Sequence, residues 1–492
     1  MRRHVIIGRY GLGDRTRFPL GDGEIETRLD LVVGERALDH GIGRAIGDLS
    51  RIGVHPSEIG VDILVLAAHV HAADTRISRA SESQDGWTRE IRLIVPVSDP
   101  DRWTAVAPTF VRMLNFLTGD RWSIAFRARP RRFVRVAPAR PARLLGPPFD
   151  DLALFSGGLD SLIGAIDTLE NGRTPLLISH AGEGATSDAQ STIFEALKTH
   201  YRGRAFDHLR LWMAFPDGFV RGSNGENTTR GRSFLFFALG VFAGSGLDAP
   251  FTLKVPGNGL IAVNVPLDPL RLGALSTRTT YAFYIARWND ALHGLGVNGR
   301  IENPYWDRAK GEMVAACANS ALLRRLVPSS LSCASPTKGR WQGLGTQHCS
   351  YCLPCLIRWA ALVAGLHPDP DPTVYTVDDL TARALDTRQS EGVQIRSFQL
   401  AIERLRARPA LAPILIHKPC QLFDESPARQ AALAGVYRRG LEEVGALLAG
   451  VRTRPGGPRT FRPSAWISTA ISTFTPTMRP RSQGQKPLGS VH

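Results

Sequence analysis

The stretch "LALFSGGLDSLIGAIDTL", Leu152 to Leu169, decides the fold of this chain. A short apolar run ends at Phe155, six residues of another character follow, and an apolar pattern then resumes at helical spacing. The six are Ser156, Gly157, Gly158, Leu159, Asp160 and Ser161. A buried strand that enters a helix through two glycines makes a place for an anion. The glycines let the backbone turn tightly and approach a ligand. The helix start offers unpaired N–H groups and the positive end of its dipole. Ser156 and Ser161 add hydroxyls. Asp160 would repel a phosphate, so it either caps the helix or binds a Mg²⁺ that bridges to phosphate. No lysine ends the loop, so it is not the GxxxxGK[ST] loop of P-loop NTPases. The plainer reading is a strand-to-helix turn with a Ser or Asp cap.

"TPLLISH" (Thr174 to His180) is the next short apolar run, one helix length downstream. The pair forms a βαβ unit and implies a parallel sheet, with a strand order near 3-2-1-4-5 and the ligand at its carboxyl edge. "SFLFFALGVFAGSG" (Ser233 to Gly246) reads as a buried helix, and "FTLKVPGNGLIAVNVPL" as a strand and its exit loop. Upstream, residues 1–146 form an N-terminal α/β domain. There "VDILVLAAHVHAADTRI" and "WTAVAPTFVRMLNFLTGD" have helical spacing, while "WTREIRLIVPV" and "RWSIAFRAR" alternate as strands. Prolines between residues 130 and 148 mark the boundary, and the arginines among them read as a solvated edge strand plus linker. Residues 367–450 form a C-terminal helical region. Residues 451–492, rich in Pro, Ser, Thr and Arg, read as a disordered basic tail.

The formal charge of +15 would suit a polyanion partner, but the segment after Gly450 supplies 7 of those charges and contains no acid. Only six basic residues are lysine, so arginine usage alone could produce this balance. Nucleic acid therefore stays an open partner. No run of about 18 apolar residues exists, so no membrane partner is expected. The first residues lack a secretory apolar core, which points to the cytoplasm.

"SCASPTKGRWQGLGTQHCSYCLPCLIRWAALVAG" sets Cys349, Cys352 and Cys355 at C-x2-C-x2-C, with Cys333 sixteen residues before the first. Four thiolates fit a tetrahedral structural Zn²⁺. His348 as a replacement ligand, an iron–sulfur cluster and a redox CxxC pair are the rivals. Cys317 and Cys420 read as buried thiols. His69, His71 and Asp74 share an apolar helix; packed or capping roles outweigh a second metal site there.

SGGxDS resembles the pyrophosphate loop (PP-loop) of the N-type ATP pyrophosphatases. That loop, followed by a cysteine cluster and "LIRWAAL", resembles the 7-cyano-7-deazaguanine synthase (QueC) family, in which Arg358 matches the arginine after the knuckle. "NPYWDRAKGEMVAAC" matches a family segment at Lys310 and Glu312. "TRGRSFLFFALG" matches another at Arg232, with Ser233 where asparagine is usual. This likeness covers residues 149–366. The long N-terminal region and the segment from Val255 to Thr280 are similar to the longer QueC-like proteins of bacterial antiphage defence operons, the Qat system among them.

The resemblance implies a parallel-sheet PP-loop core, of the adenine nucleotide alpha hydrolase type, with a zinc knuckle at Cys333, Cys349, Cys352 and Cys355. It implies ATP on residues 156–161 and Mg²⁺ at Asp160. A carboxylate such as that of 7-carboxy-7-deazaguanine would be adenylated and passed to an amine as an amide or nitrile. Asp160, Arg232 and Lys310 are the implied catalytic residues; Asn258, Ser276 and Arg278 are the implied substrate contacts. Partners would be the deazaguanine and other proteins of the operon. Two alternatives stay open: a tRNA- or DNA-modifying enzyme of the same superfamily, and a non-catalytic ATP-binding scaffold.

Overall fold

The computed structural model describes residues 2–455, apart from 84, 142–145, 183, 229, 269–277 and 420–421. Ser276, Cys420 and nearly all of the expected tail lie outside the described residues.

Two parallel sheets organise the chain. In the first, β1 (Arg3–Arg9), β2 (Glu24–Asp30), β3 (Glu90–Val97) and β4 (Arg121–Ala128) lie in the order β2-β1-β3-β4. In the second, β5 (Asp151–Leu154), β6 (Pro175–His180), β7 (Asp207–Leu211), β8 (Phe251–Lys254) and β9 (Gly299–Glu302) lie in the order β9-β8-β5-β6-β7. Numbered within that sheet, the order is 3-2-1-4-5, the order expected. All of its neighbouring strands are parallel, so every strand's carboxyl end falls on one edge.

Helices join the two sheets. α1 (Glu58–Arg76) starts where the Ser57 hydroxyl accepts the amide of Gly60 at 3.2 Å. It is buried without a break from Gly60 to Asp74, because the first sheet covers one side and α5 (Arg232–Gly244) the other. α2 (Pro100–Thr118) begins at the Asp99 cap, ends at left-handed Gly119, and packs on α6 (Ala282–Gly294). Phe110 of α2 meets Phe234 of α5 and Trp288 of α6, each at 6.0 Å between ring centres. One apolar core therefore runs from the first sheet into the second.

The C-terminal region is mostly helical, with α9 (Ser390–Ala407) and α10 (Pro427–Leu447) packed together. Order continues past residue 450, where Thr453–Arg454 pairs in parallel with Leu385–Asp386. The expected start of the tail is corrected accordingly. Arg131 and Arg132 lie in a single 3-10 turn rather than a strand, drawn in by Phe133, which stacks on Tyr10 at 5.0 Å. The sheet edge itself is β4.

The histidines of α1 are packed. His69 Nδ1 donates to the Val65 carbonyl at 2.8 Å, and His71 lies edge-on to His180 at 5.5 Å. Asp74 pairs with Arg89 at 3.2 Å and accepts the amide of Gly231 at 2.7 Å. Burial holds the imidazoles of His69 and His180 down to about 4, and those of His71 and His208 to about 3. In the unfolded chain a histidine titrates near pH 6.5, so below that value the unfolded state takes up protons that the folded state refuses. Stability should be complete above about pH 6.5 and fall as pH drops towards 4. Thermal melts at fixed ionic strength should show the midpoint descending through that window; a flat midpoint would contradict this.

Candidate active site and metal centre

The glycine loop stands at the carboxyl end of β5, the central strand. Phe155 is buried and closes the strand. Gly157 then takes φ +77°, a left-handed turn that favours glycine, and a Cβ there would meet the Gln190 amide nitrogen at 3.0 Å. Gly158 caps α3 (Leu159–Glu170). Its amide donates to Ser156 Oγ at 3.3 Å, and Ser161 Oγ donates back to its carbonyl at 2.9 Å. The two hydroxyls are 3.2 Å apart. They tie the loop into a ring with the helix start. The amides of Asp160 and Ser161, at the second and third helical positions, have no acceptor within the helix.

Three of the expected residues converge here. Asp160 Oδ1 pairs with Lys310 Nζ at 3.0 Å. Its Oδ2 accepts both the backbone amide of Asn258, at 3.2 Å, and the side-chain amide, at 2.9 Å. Asn258 follows β8 and is fully buried; its own carbonyl oxygen caps the short helix Gly259–Val263. Lys310 begins α7 (Lys310–Ala315), after β9. The Asp160 side chain keeps 18% of its surface exposed, while Oδ1, the oxygen that faces Lys310, is buried.

Arg232 reaches the same edge from α5. It lies against the Phe236 ring at 5.5 Å and shares a cavity of about 170 Å³ with Ser156, Ser179, His180 and Gln190. Two buried polar atoms of that wall, His180 Nδ1 and Gln190 Oε1, have no hydrogen-bond partner among the described residues. Arg278 turns elsewhere. Its guanidinium donates to the Phe116 carbonyl and lies over the Phe116 ring at 4.4 Å, which fastens its loop to α2. A larger cleft of about 400 Å³ runs along Thr280, Asn303, Trp306 and Arg429, and no glycine-loop residue lines it. Asn303 links it to the site, donating to the Gly257 carbonyl at 2.7 Å and accepting the Gly257 amide at 3.3 Å.

The four clustered cysteines come together as their spacing predicts. Their sulfurs all lie within 4.8 Å of one another, with Cys333–Cys352 and Cys349–Cys355 at 3.9 Å. A tetrahedral zinc with bonds of about 2.3 Å needs sulfur–sulfur edges of about 3.8 Å, so the thiols fit that ion. Amides of Ser335 and Cys352 donate to Cys333 Sγ and Cys349 Sγ, at 3.4 and 3.3 Å, which favours thiolates. His348 stands outside the tetrad, because its Nε2 accepts the Ser332 amide at 3.2 Å. Cys317 is buried, and desolvation pushes its thiol up to about 12.

One functional contact has no sequence signal. Ser332, beside Cys333, donates no motif of its own, yet its Oγ accepts the Leu159 amide at 3.3 Å. The Leu331 amide donates to the Gly157 carbonyl at 2.8 Å. The cysteine cluster thus holds one wall of the glycine loop. Arg358 supports that wall from beneath, donating to Ser330 Oγ and the Val327 carbonyl, both at 2.8 Å.

No protein-family model matches the chain, and no curated protein matches it at a significant level. Among the described residues, no helix is long and apolar enough to cross a membrane.

The full chain should purify with a single bound zinc, read by elemental analysis. Cys352→Ser should lose the metal and melt lower; a metal-free wild type would contradict the assignment. Ser332→Ala removes the acceptor of the Leu159 amide and should cost about 1 kcal/mol in denaturant unfolding; an unchanged midpoint would exclude the contact.

Proposed function

We propose that this chain is a QueC-like, ATP-dependent ligase of PP-loop type that adenylates a carboxylate and passes it to an amine. The observation that carries this reading is the meeting of Asp160, Lys310 and Asn258 beside SGGLDS, at the carboxyl edge of a 3-2-1-4-5 sheet. Open α/β sheets bind their ligands at that edge, where the order reverses between strands. The residues fit ATP. The loop offers two helix-start amides and two hydroxyls to phosphates. The cavity under Arg232 offers the orphaned His180 Nδ1 and Gln190 Oε1 to a base. Asp160 is the residue that would hold Mg²⁺, which would screen the phosphate charge.

In the proposed reaction a carboxylate oxygen of the acid attacks the α-phosphorus, and the bond to pyrophosphate breaks. An amine then attacks the acyl carbon, the bond to AMP breaks, and an amide forms with loss of a proton. A nitrile would need a second round on the amide oxygen. Lys310, and Arg232 across the loop, supply positive charge where the phosphates gain negative charge. Asn258 fixes the carboxylate of Asp160, and the loop holds the phosphate chain for in-line attack. The cleft beside Asn303 would take the acid, with 7-carboxy-7-deazaguanine the candidate. Work in a bacterial antiphage defence system, with partner proteins, in the cytoplasm, extends the same resemblance. A thiolating relative would need a reactive cysteine pair; burial pushes the Cys317 thiol up, and the four clustered cysteines are placed to hold a metal, which disfavours that route.

Purified protein with ATP and Mg²⁺ should release pyrophosphate only when the acid is present. Asp160→Ala and Lys310→Ala should each lower that rate by about a hundredfold or more, the size of effect seen when a charge-stabilising group is lost. Release of phosphate instead, or equal rates in both variants, would overturn the reading. ATP binding without turnover under any condition would favour the scaffold.

A further inference from the structure

Lys310 reaches Asp160 from a short helix that would be poorly fixed by itself. α7 has six residues, and its first turn projects past β9 towards the glycine loop. Its capping is local: Glu312 Oε2 accepts the Ala309 amide at 2.7 Å. The stronger restraint comes from α10, more than a hundred residues later in the chain. Arg439 Nε meets Glu312 Oε1 at 2.6 Å, and its Nη2 donates to the Asp307 carbonyl at 2.7 Å. One turn further along the same face, Glu443 Oε2 accepts the Gly311 amide at 3.1 Å. The approach is close: a Cβ on Gly311 would lie 2.7 Å from Glu443 Oε1 and would push that carboxylate aside. α8 (Leu353–Gly365), which carries Cys355, backs both helices and brings Ala364 against Gly311.

We propose that Arg439 and Glu443 of the C-terminal helix are positioning residues for Lys310, holding the 307–312 segment so that its ammonium meets Asp160. The proposal rests on the reading of Lys310 and Asp160 as catalytic only for its effect on rate; the placement of Lys310 is testable without it. Arg439 is a fork that grips a carboxylate and a backbone carbonyl together, a task a lysine cannot duplicate. The Arg439–Glu312 pair is half-exposed, so its contribution to global stability is small. Glu443 is half-buried; desolvation first, and then the charge of Glu312, push its carboxyl up to about 7. The C-terminal helical region is thus part of the site, although it contains none of its motifs.

The test is competitive acetylation of the full-length protein with acetic anhydride, reading the rate at Lys310 by mass spectrometry. Wild type, Arg439→Ala, Glu443→Ala, Glu443→Gln, the Arg439→Ala/Glu443→Ala double variant and an Arg438→Ala control are compared. Lys310 should react slowly in the wild type and in Arg438→Ala. It should react about fivefold faster in Arg439→Ala and Glu443→Ala, the shift expected from losing about 1 kcal/mol of local restraint. Glu443→Gln, which keeps an acceptor for the Gly311 amide, should restore the slow rate. Pyrophosphate release should fall in kcat with little change in the KM for ATP. A double variant with wild-type Lys310 reactivity would overturn the proposal. Should the double variant fail to fold, half-exposed Arg439→Ala decides alone. A wild type that labels as expected but releases no pyrophosphate would refute the catalytic reading and leave the positioning intact.

Discussion

A carboxylate sits at the start of a helix whose amides would otherwise welcome an anion, and the site depends on how that charge is balanced. Asp160 is part-buried, with Lys310 on one oxygen and both amides of Asn258 on the other. Neither partner is near it in sequence. Asn258 arrives after β8 and Lys310 after β9, so the charge is balanced only if β8 lies beside β5 and β9 beside β8, with their carboxyl ends level. The 3-2-1-4-5 order delivers that arrangement. Removing one partner of such a pair leaves a part-buried charge uncompensated, at a cost of about 3 kcal/mol.

Two further ties converge on the same loop. From one side, the cysteine tetrad fixes residues 331–333, and these bond to Gly157 and Leu159. From the other, Asp74 of α1 accepts the amide of Gly231 and so sets where α5 and Arg232 begin. Asp74 is itself held by Arg89, which also pairs with Asp120 at 2.6 Å, a buried network that belongs to the first sheet. The N-terminal unit therefore supports the site without contributing a residue to the loop. The shared core of α1, α2, α5 and α6 makes this coupling stiff.

Local pattern made much of this legible. Alternation marked β3 and β4, helical spacing marked α1 and α2, and left-handed Gly119 ends α2 where its sequence suggests. SGGLDS falls at the strand–helix junction its pattern predicts, and the C-x2-C-x2-C cysteines come together with Cys333. What stayed hidden depends on distant chain segments. Nothing around Ser332 marks it as a cap for a helix that starts at Leu159. Nothing in the sequence marks Arg439 and Glu443, because Glu312 and Gly311 meet them only in the folded chain. Arg278 suited a substrate loop by sequence, yet Phe116 draws its guanidinium to α2. The exit loop expected after β8 holds a short helix, Gly259–Val263, whose cap, Asn258, also serves Asp160.

In the proposed reaction the acid's own oxygen attacks the α-phosphorus of ATP. The most direct measurement is the mass of the AMP formed when 7-carboxy-7-deazaguanine labelled with ¹⁸O in its carboxylate turns over with ATP and an amine. An oxygen that attacks phosphorus stays on AMP when the amide forms, so the account predicts ¹⁸O-labelled AMP in step with amide. Unlabelled AMP, or ADP in its place, would contradict it.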